Sequence, residues 1–91
     1  MQKPPKFHSF NGKKYRITRD VLDGFVDHPE SYSHTFRELN CSERMKGFDE
    51  LETWIHESIH ASYPSKKETE VRQAGYDIAR LLWRLGYRKN K

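Results

Sequence analysis

From Lys13 to Arg19 apolar and polar residues alternate, with Tyr15 and Ile17 on one face, so this stretch is predicted to be a short strand with one polar side. Asn11-Gly12 immediately before it reads as a turn. Residues 1–10 show no sustained period and contain Pro4 and Pro5, so a flexible N-terminal arm is expected there. Val21 to Pro29 mixes apolar residues with chain breakers and reads as a loop with an apolar anchor. Tyr32 to Leu39 is the second strand candidate, with Tyr32, His34 and Phe36 pointing one way.

The period then changes to that of a helix. Asp49 is the expected N-cap, with Glu52 three residues on as in a capping box. Leu51, Trp54, Ile55, Ser58, Ile59 and Ser62 fall on one side of this helix, and His56 and His60 on the other. Pro64 ends it. Ser65 is the expected cap of a second helix, with Glu68 at the capping-box position. Val71, Ala74, Gly75, Ile78, Leu81, Leu82 and Leu85 form its inward stripe, and Gly86 closes it. Gly75 within that stripe costs about 1 kcal/mol relative to alanine, which points to a close helix contact there. The fold class expected is α+β: a short antiparallel β element packed on two helices, one domain over residues 11–88 with a basic tail at 89–91.

Composition limits what such a domain can be. At 91 residues its core is thin. A mean hydropathy of -1.06 approaches that of disordered chains, but 13% aromatic residues, Trp54 and Trp83 among them, argue for a packed interior. The sequence has no apolar run of the roughly 18 residues a membrane span needs. The first residues lack the apolar stretch of a signal peptide, so a cytoplasmic location is expected. Cys41 is the single cysteine, which excludes an internal disulfide framework and a cysteine-rich zinc module. The net charge of +4 is unevenly laid out: residues 1–19 carry six basic and no acidic side chains, and residues 20–57 carry ten acidic and three basic. Basic ends around an acidic middle allow weak nucleic-acid contact, although a solvated surface explains them as simply.

The chemistry lies in His56-Glu57-Ser58-Ile59-His60, an HExxH pattern inside a predicted helix. Histidines four apart are one turn up the same face, roughly 6 Å along the axis, so both imidazoles can reach one ion. Two nitrogens and one carboxylate leave a fourth position for water, the open arrangement of a catalytic zinc site. Glu57, beside the first histidine, is placed to act as a general base, taking a proton from water and passing it to a leaving amine. Glu68, Glu70 and Asp77 on the second helix are the candidates for a third ligand. The helical wheel treats Glu68 and Glu70 equally, and the short connection from His60 to Ser65 favours an acid in the first turn.

The run Leu51 to Ala61, with Glu68 and Val71 and then Ala79 to Arg88, resembles a group of small, mostly phage-encoded zincin-like proteins. Asn11-Gly12-Lys13-Lys14 and Gly24 to Pro29 look like that group's N-terminal strand and loop, so the likeness covers most of residues 10–88. Val26 departs from it, standing where members often have cysteine. The resemblance implies a minimal zincin-like domain with a gluzincin-like site: His56 and His60 as metal ligands, Glu57 as the base and Glu68 as the third ligand, with zinc as the cofactor. It implies a bacterial or phage-infected host cytoplasm, and names no substrate.

Several further residues are weighed. His8, His28 and His34 could polarise a substrate, and Tyr63 and Tyr76 could stabilise an oxyanion. Trp83 and Tyr87 read as packing, and Cys41 as a small buried thiol with no paired base. The function expected is a zinc-dependent metallopeptidase acting on a peptide or protein substrate. The alternatives are a non-catalytic binding protein stapled by zinc, and a nucleic-acid-associated, DNA-dependent protease.

Overall fold

The computed structural model of the chain describes residues 5–19 and 37–89. Among them the order of elements is β1 (Phe7–Phe10), β2 (Lys13–Thr18), β3 (Arg37–Asn40), α1 (Gly47–Ser62) and α2 (Glu68–Arg84). The class is α+β, a three-stranded mixed sheet with two helices. No helix among the described residues is long and apolar enough to cross a membrane.

Residues 7–10, expected within a flexible arm, form β1 instead. It pairs antiparallel with β2, Phe7 opposite Arg16 and Phe10 opposite Lys13. The reversal is made by Asn11 at φ 52° and Gly12 at φ 76°. Two consecutive left-handed residues give the tight turn whose twist matches a hairpin, and Asn-Gly is the pair that adopts it most readily. Phe10 then packs edge-on against Tyr15, ring centres 5.4 Å apart. A partner strand and a turn, which no period in residues 1–10 signalled, thus order half of the expected arm.

The second correction concerns pairing. β3 lies parallel to β2, Ile17 opposite Leu39 and Thr18 opposite Asn40, so the sheet is mixed rather than antiparallel. Parallel neighbours need a long crossover, and the connection between Thr18 and Arg37 has that length. The expected strand began at Tyr32; residues 32–36 lie outside the described residues, as does the Val21–Pro29 loop. Along β2 and β3 burial alternates, with Tyr15, Ile17 and Leu39 on the inner face.

Helix α1 begins at Gly47 with Lys46 as N-cap, three residues before the expected Asp49. Gly47 has φ 59°, and a Cβ there would lie 3.6 Å from the Trp83 ring, so the chain enters the helix where only glycine is unstrained. Helix α2 is capped by Lys67, whose N–H donates to Glu70 Oε1 at 3.4 Å. Ser65 is therefore not the cap and Glu68 is not the capping-box acid. A turn closed by Lys66 N–H to Tyr63 O delays the helix, and Glu68 becomes its first residue. Gly86, at φ 96°, ends α2 as expected, with Gly86 N–H bonding Trp83 O and Tyr87 N–H bonding Leu82 O. Those are the two bonds of a Schellman terminus.

Among the described residues, Leu39, Cys41, Ala61, Val71 and Ala79 are the buried apolar ones. On α2 the buried line is Val71–Gly75–Ala79, four residues apart. Ile78, Leu81 and Leu85, assigned to the inward stripe, are exposed by 43%, 57% and 63%. The seam follows the small residues because they let the helix axes approach. At Gly75 a Cβ would lie 3.4 Å from the Cα of His56, an ordinary contact at its tight limit. The close approach expected at Gly75 is thus found, against the backbone of α1.

Arg19 ties the sheet to α1. From the end of β2 it donates to Cys41 O (3.0 Å), Ser42 O (2.7 Å), Met45 O (3.1 Å) and Glu50 Oε2 (2.8 Å). Glu50, its side chain 13% exposed, also accepts from Trp54 Nε1 at 3.1 Å and Lys89 Nζ at 3.2 Å. Lys89, expected in a free basic tail, folds back onto α1 through this bond. Burial raises the Glu50 carboxyl, but the bonds from Trp54 and Lys89 and the charges of Arg19 and Lys89 outweigh it and hold the group below the ordinary carboxylate range.

Two predictions follow from this packing. Gly75→Ala should leave stability unchanged or slightly raised, since the methyl fits and helix propensity gains up to about 1 kcal/mol. Gly75→Val should cost about 1–3 kcal/mol by forcing the seam apart; urea unfolding of the three proteins checks both. Glu50 has a depressed folded pKa, so its contribution is complete above the ordinary carboxylate pKa and is lost as pH falls through the folded value. Glu50→Gln should therefore lower unfolding free energy by about 1–3 kcal/mol at neutral pH. The gap from wild type should close on acidification; a gap that stays constant down to about pH 2 would contradict this account.

Candidate metal centre

Both motif histidines lie on α1, one turn apart, and the polar side that carries them faces the start of α2 rather than open solvent. His56 is held there by its backbone contact with Gly75. The chain leaves α1 at Ser62, turns at Tyr63–Lys66 and re-enters α2 at Glu68, so the first side chain of α2 returns toward His60. Three side chains converge. His56 Nε2 and His60 Nε2 are 3.2 Å apart, Glu68 Oε2 is 3.3 Å from His56 Nε2, and Glu68 Oε1 is 2.7 Å from His60 Nε2. The side chains are 22%, 34% and 50% exposed, so the cluster sits at the surface with open access.

Those separations test whether an ion fits. Ligand atoms about 2.0–2.1 Å from a tetrahedral centre lie roughly 3.3 Å from each other. Two of the three observed separations match that edge, and the third is a hydrogen-bonded contact between His60 and the carboxylate. Two imidazoles and a carboxylate form a donor set suited to a divalent cation, and these three residues are the group that could hold one among the described residues. Partial desolvation raises the Glu68 carboxyl, but the His60 bond and the charges of His56, His60 and Arg72 outweigh it and hold it below the ordinary range. It is thus in the ionised form that ligation requires.

The structure separates the three acids that the helical wheel left together. Glu70 is occupied in capping Lys67. Asp77 accepts two bonds from Gln73 Nε2, each at 3.2 Å, further along α2. Only Glu68 reaches the histidines. Glu57 follows His56 round the helix and is not one of the converging donors. Cys41 itself is buried, and burial, with smaller effects from Glu50 and Glu57, pushes its thiol up despite Arg19 and Lys89. That suits a packing residue and not a nucleophile. His8 is on β1 beside Phe10, Tyr63 is 61% exposed, and His28 and His34 lie outside the described residues. Trp83 packs edge-on against Phe48 with Arg88 stacked 3.4 Å above it, a structural role.

One residue near the cluster went unnoticed in the sequence. Arg72 Nη2 donates to Glu68 Oε2 at 3.4 Å. Its position four residues after Glu68 is the signal that could have found it, since such a pair shares one helix face. Comparison with protein-family models, curated proteins and solved structures gives no match to the chain.

The division of labour among the acids is testable by isothermal titration with a divalent metal. Glu68→Gln should weaken binding at least about tenfold, the scale of losing or disturbing a ligand shell. Glu70→Gln should leave metal affinity at the wild-type level and helix stability little changed, since the amide oxygen still accepts from the Lys67 N–H. Asp77→Asn should change neither. Equal loss of affinity in all three variants would mean that charge alone, and not the Glu68 geometry, attracts the ion.

Proposed function

We propose that the chain is a zinc-dependent metallopeptidase-like protein with a minimal zincin-like domain, hydrolysing peptide bonds in the cytoplasm. The observation that carries this reading is the convergence of His56 Nε2, His60 Nε2 and the Glu68 carboxylate, at spacings close to the edge of a tetrahedral zinc site. It is supported by the HExxH order of the residues and by the likeness of Leu51–Ala61 and Ala79–Arg88 to phage-encoded zincin-like proteins.

His56 and His60 would hold the ion through Nε2 and Glu68 through its carboxylate, with Arg72 orienting Glu68. Zinc, when bound, supplies a Lewis acid and lowers the pKa of a coordinated water to about 7. Glu57 takes a proton at its carboxylate from the attacking water and returns it to the departing amine. Its freedom from the ligand cluster leaves it able to do so.

A second reading is a non-catalytic protein in which zinc is a staple. The small set of buried residues among those described favours it, because a thin core gains most from a bound ion. Metal analysis and melting separate both readings from no site at all. Wild type should bind a single zinc ion and melt higher with it, and His56→Ala and His60→Ala should lose both properties. Glu57→Gln should keep zinc and stability and lose about two or more orders of magnitude in peptide hydrolysis. Unchanged hydrolysis in Glu57→Gln eliminates the mechanism; zinc-dependent melting without hydrolysis of any peptide leaves the staple.

A further inference from the structure

Beside the cluster, α1 and α2 frame an open groove of about 450 Å³ lined by Glu52, Thr69, Arg72, Gln73 and Tyr76. It has the size of pockets that hold single small molecules. Its position follows from helix spacing. Glu52 is one turn before His56 on α1, and Arg72 is one turn after Glu68 on α2, so the groove starts where the candidate site ends. Thr69, Arg72, Gln73 and Tyr76 recur at three- and four-residue intervals and form one wall; Glu52 stands on the other.

The two charged groups in this groove are not spent on each other. Arg72, 66% exposed, makes one long bond of 3.4 Å to Glu68, and a guanidinium has five donors. Glu52 makes no hydrogen bond or ion pair with any described residue. Half-buried, it is a carboxylate lining the groove with no ion-pair partner among the described residues. Gln73, in contrast, is engaged with Asp77, and the Tyr76 ring leans edge-on against Phe48, so these two shape the wall.

We infer that this groove is a recognition subsite for a small ligand carrying both charges: a carboxylate received by Arg72 at the end nearest Glu68, and an amino or guanidino group received by Glu52. A planar guanidinium with free donors matches a carboxylate in two parallel bonds, which a lysine could not do. The chemical class that meets both demands is the C-terminal residue of a peptide ending in lysine or arginine. Its terminal carboxylate would lie against Arg72 and its basic side chain along the groove to Glu52. The inference rests on the metallopeptidase reading only for which bond is cut, the one preceding that residue; the binding itself needs no metal.

Three probes decide the matter: N-acetylglycyl-lysine with a free carboxylate, the same compound as its C-terminal amide, and N-acetylglycyl-norleucine with a free carboxylate. Each is titrated into metal-free and zinc-treated protein and followed by amide chemical shifts of Glu52, Thr69, Arg72, Gln73 and Tyr76. The lysine acid should bind at millimolar or better affinity, and the amide and norleucine compounds about fivefold more weakly, the upper end for an exposed ion pair. Arg72→Gln should abolish the preference for the acid over the amide, and Glu52→Gln the preference for lysine over norleucine. The wild-type comparison of probes stands even where a variant fails to fold. Equal binding of all three probes, or shifts confined to residues outside the groove, would overturn the subsite. Failure of the metal site shows instead as no zinc uptake, with the probe preferences in metal-free protein intact.

Discussion

At Gly75 the backbone of α2 approaches α1 so closely that a Cβ there would lie 3.4 Å from the His56 Cα, and the remaining geometry depends on that approach. Larger residues along the Val71–Gly75–Ala79 line would hold the helix axes further apart. The short turn between the helices could then no longer deliver Glu68 to His60 at hydrogen-bonding distance. The glycine costs the isolated helix some stability, and the close seam sets where the three donors meet. Helix propensity is here subordinate to packing, as it commonly is.

Helix α1 is held from two sides by different physics. Toward α2 the contact is close and built on small residues. Toward the sheet it is polar: Arg19 spans the loop carbonyls of Cys41, Ser42 and Met45 and the Glu50 carboxylate, which Trp54 and Lys89 also bind. A network of charged groups with most partners satisfied fixes orientation, and it supplements the apolar residues buried among those described. The result is a helix with little freedom to rotate, so the two histidines keep their direction toward Glu68.

The site this produces is shallow and charged, and access to it is open. Its donor side chains are 22%, 34% and 50% exposed rather than enclosed. What surrounds the donors is instead a set of polar side chains on the same helix faces, Arg72 and Glu52 among them. Specificity in such a site comes from charge placed at fixed spacing along two rigid helices, not from the depth of a cleft. The exposed line of Ile78, Leu81 and Leu85 lies on the same helix and follows from the same cause: the seam runs along the small residues and leaves the larger ones outside it.

Features that depend on neighbours in sequence were legible without a structure. The Asn11-Gly12 turn, the strand over Lys13–Thr18, the helical setting of His56 and His60, the close contact at Gly75 and the stop at Gly86 all rest on backbone preferences or on a single helical period. Features that depend on how distant segments meet were not. The helical wheel could not choose among Glu68, Glu70 and Asp77, because the choice rests on where α2 begins and which donors are already engaged. Alternation in β2 predicts a strand equally well whether its neighbour runs parallel or antiparallel, so the direction of β3 and the recruitment of Phe7–Phe10 came only from pairing. The inward stripe of α2 was misplaced for a related reason: hydrophobicity ranks residues by their aversion to water, whereas the closest seam selects them by how little space they occupy.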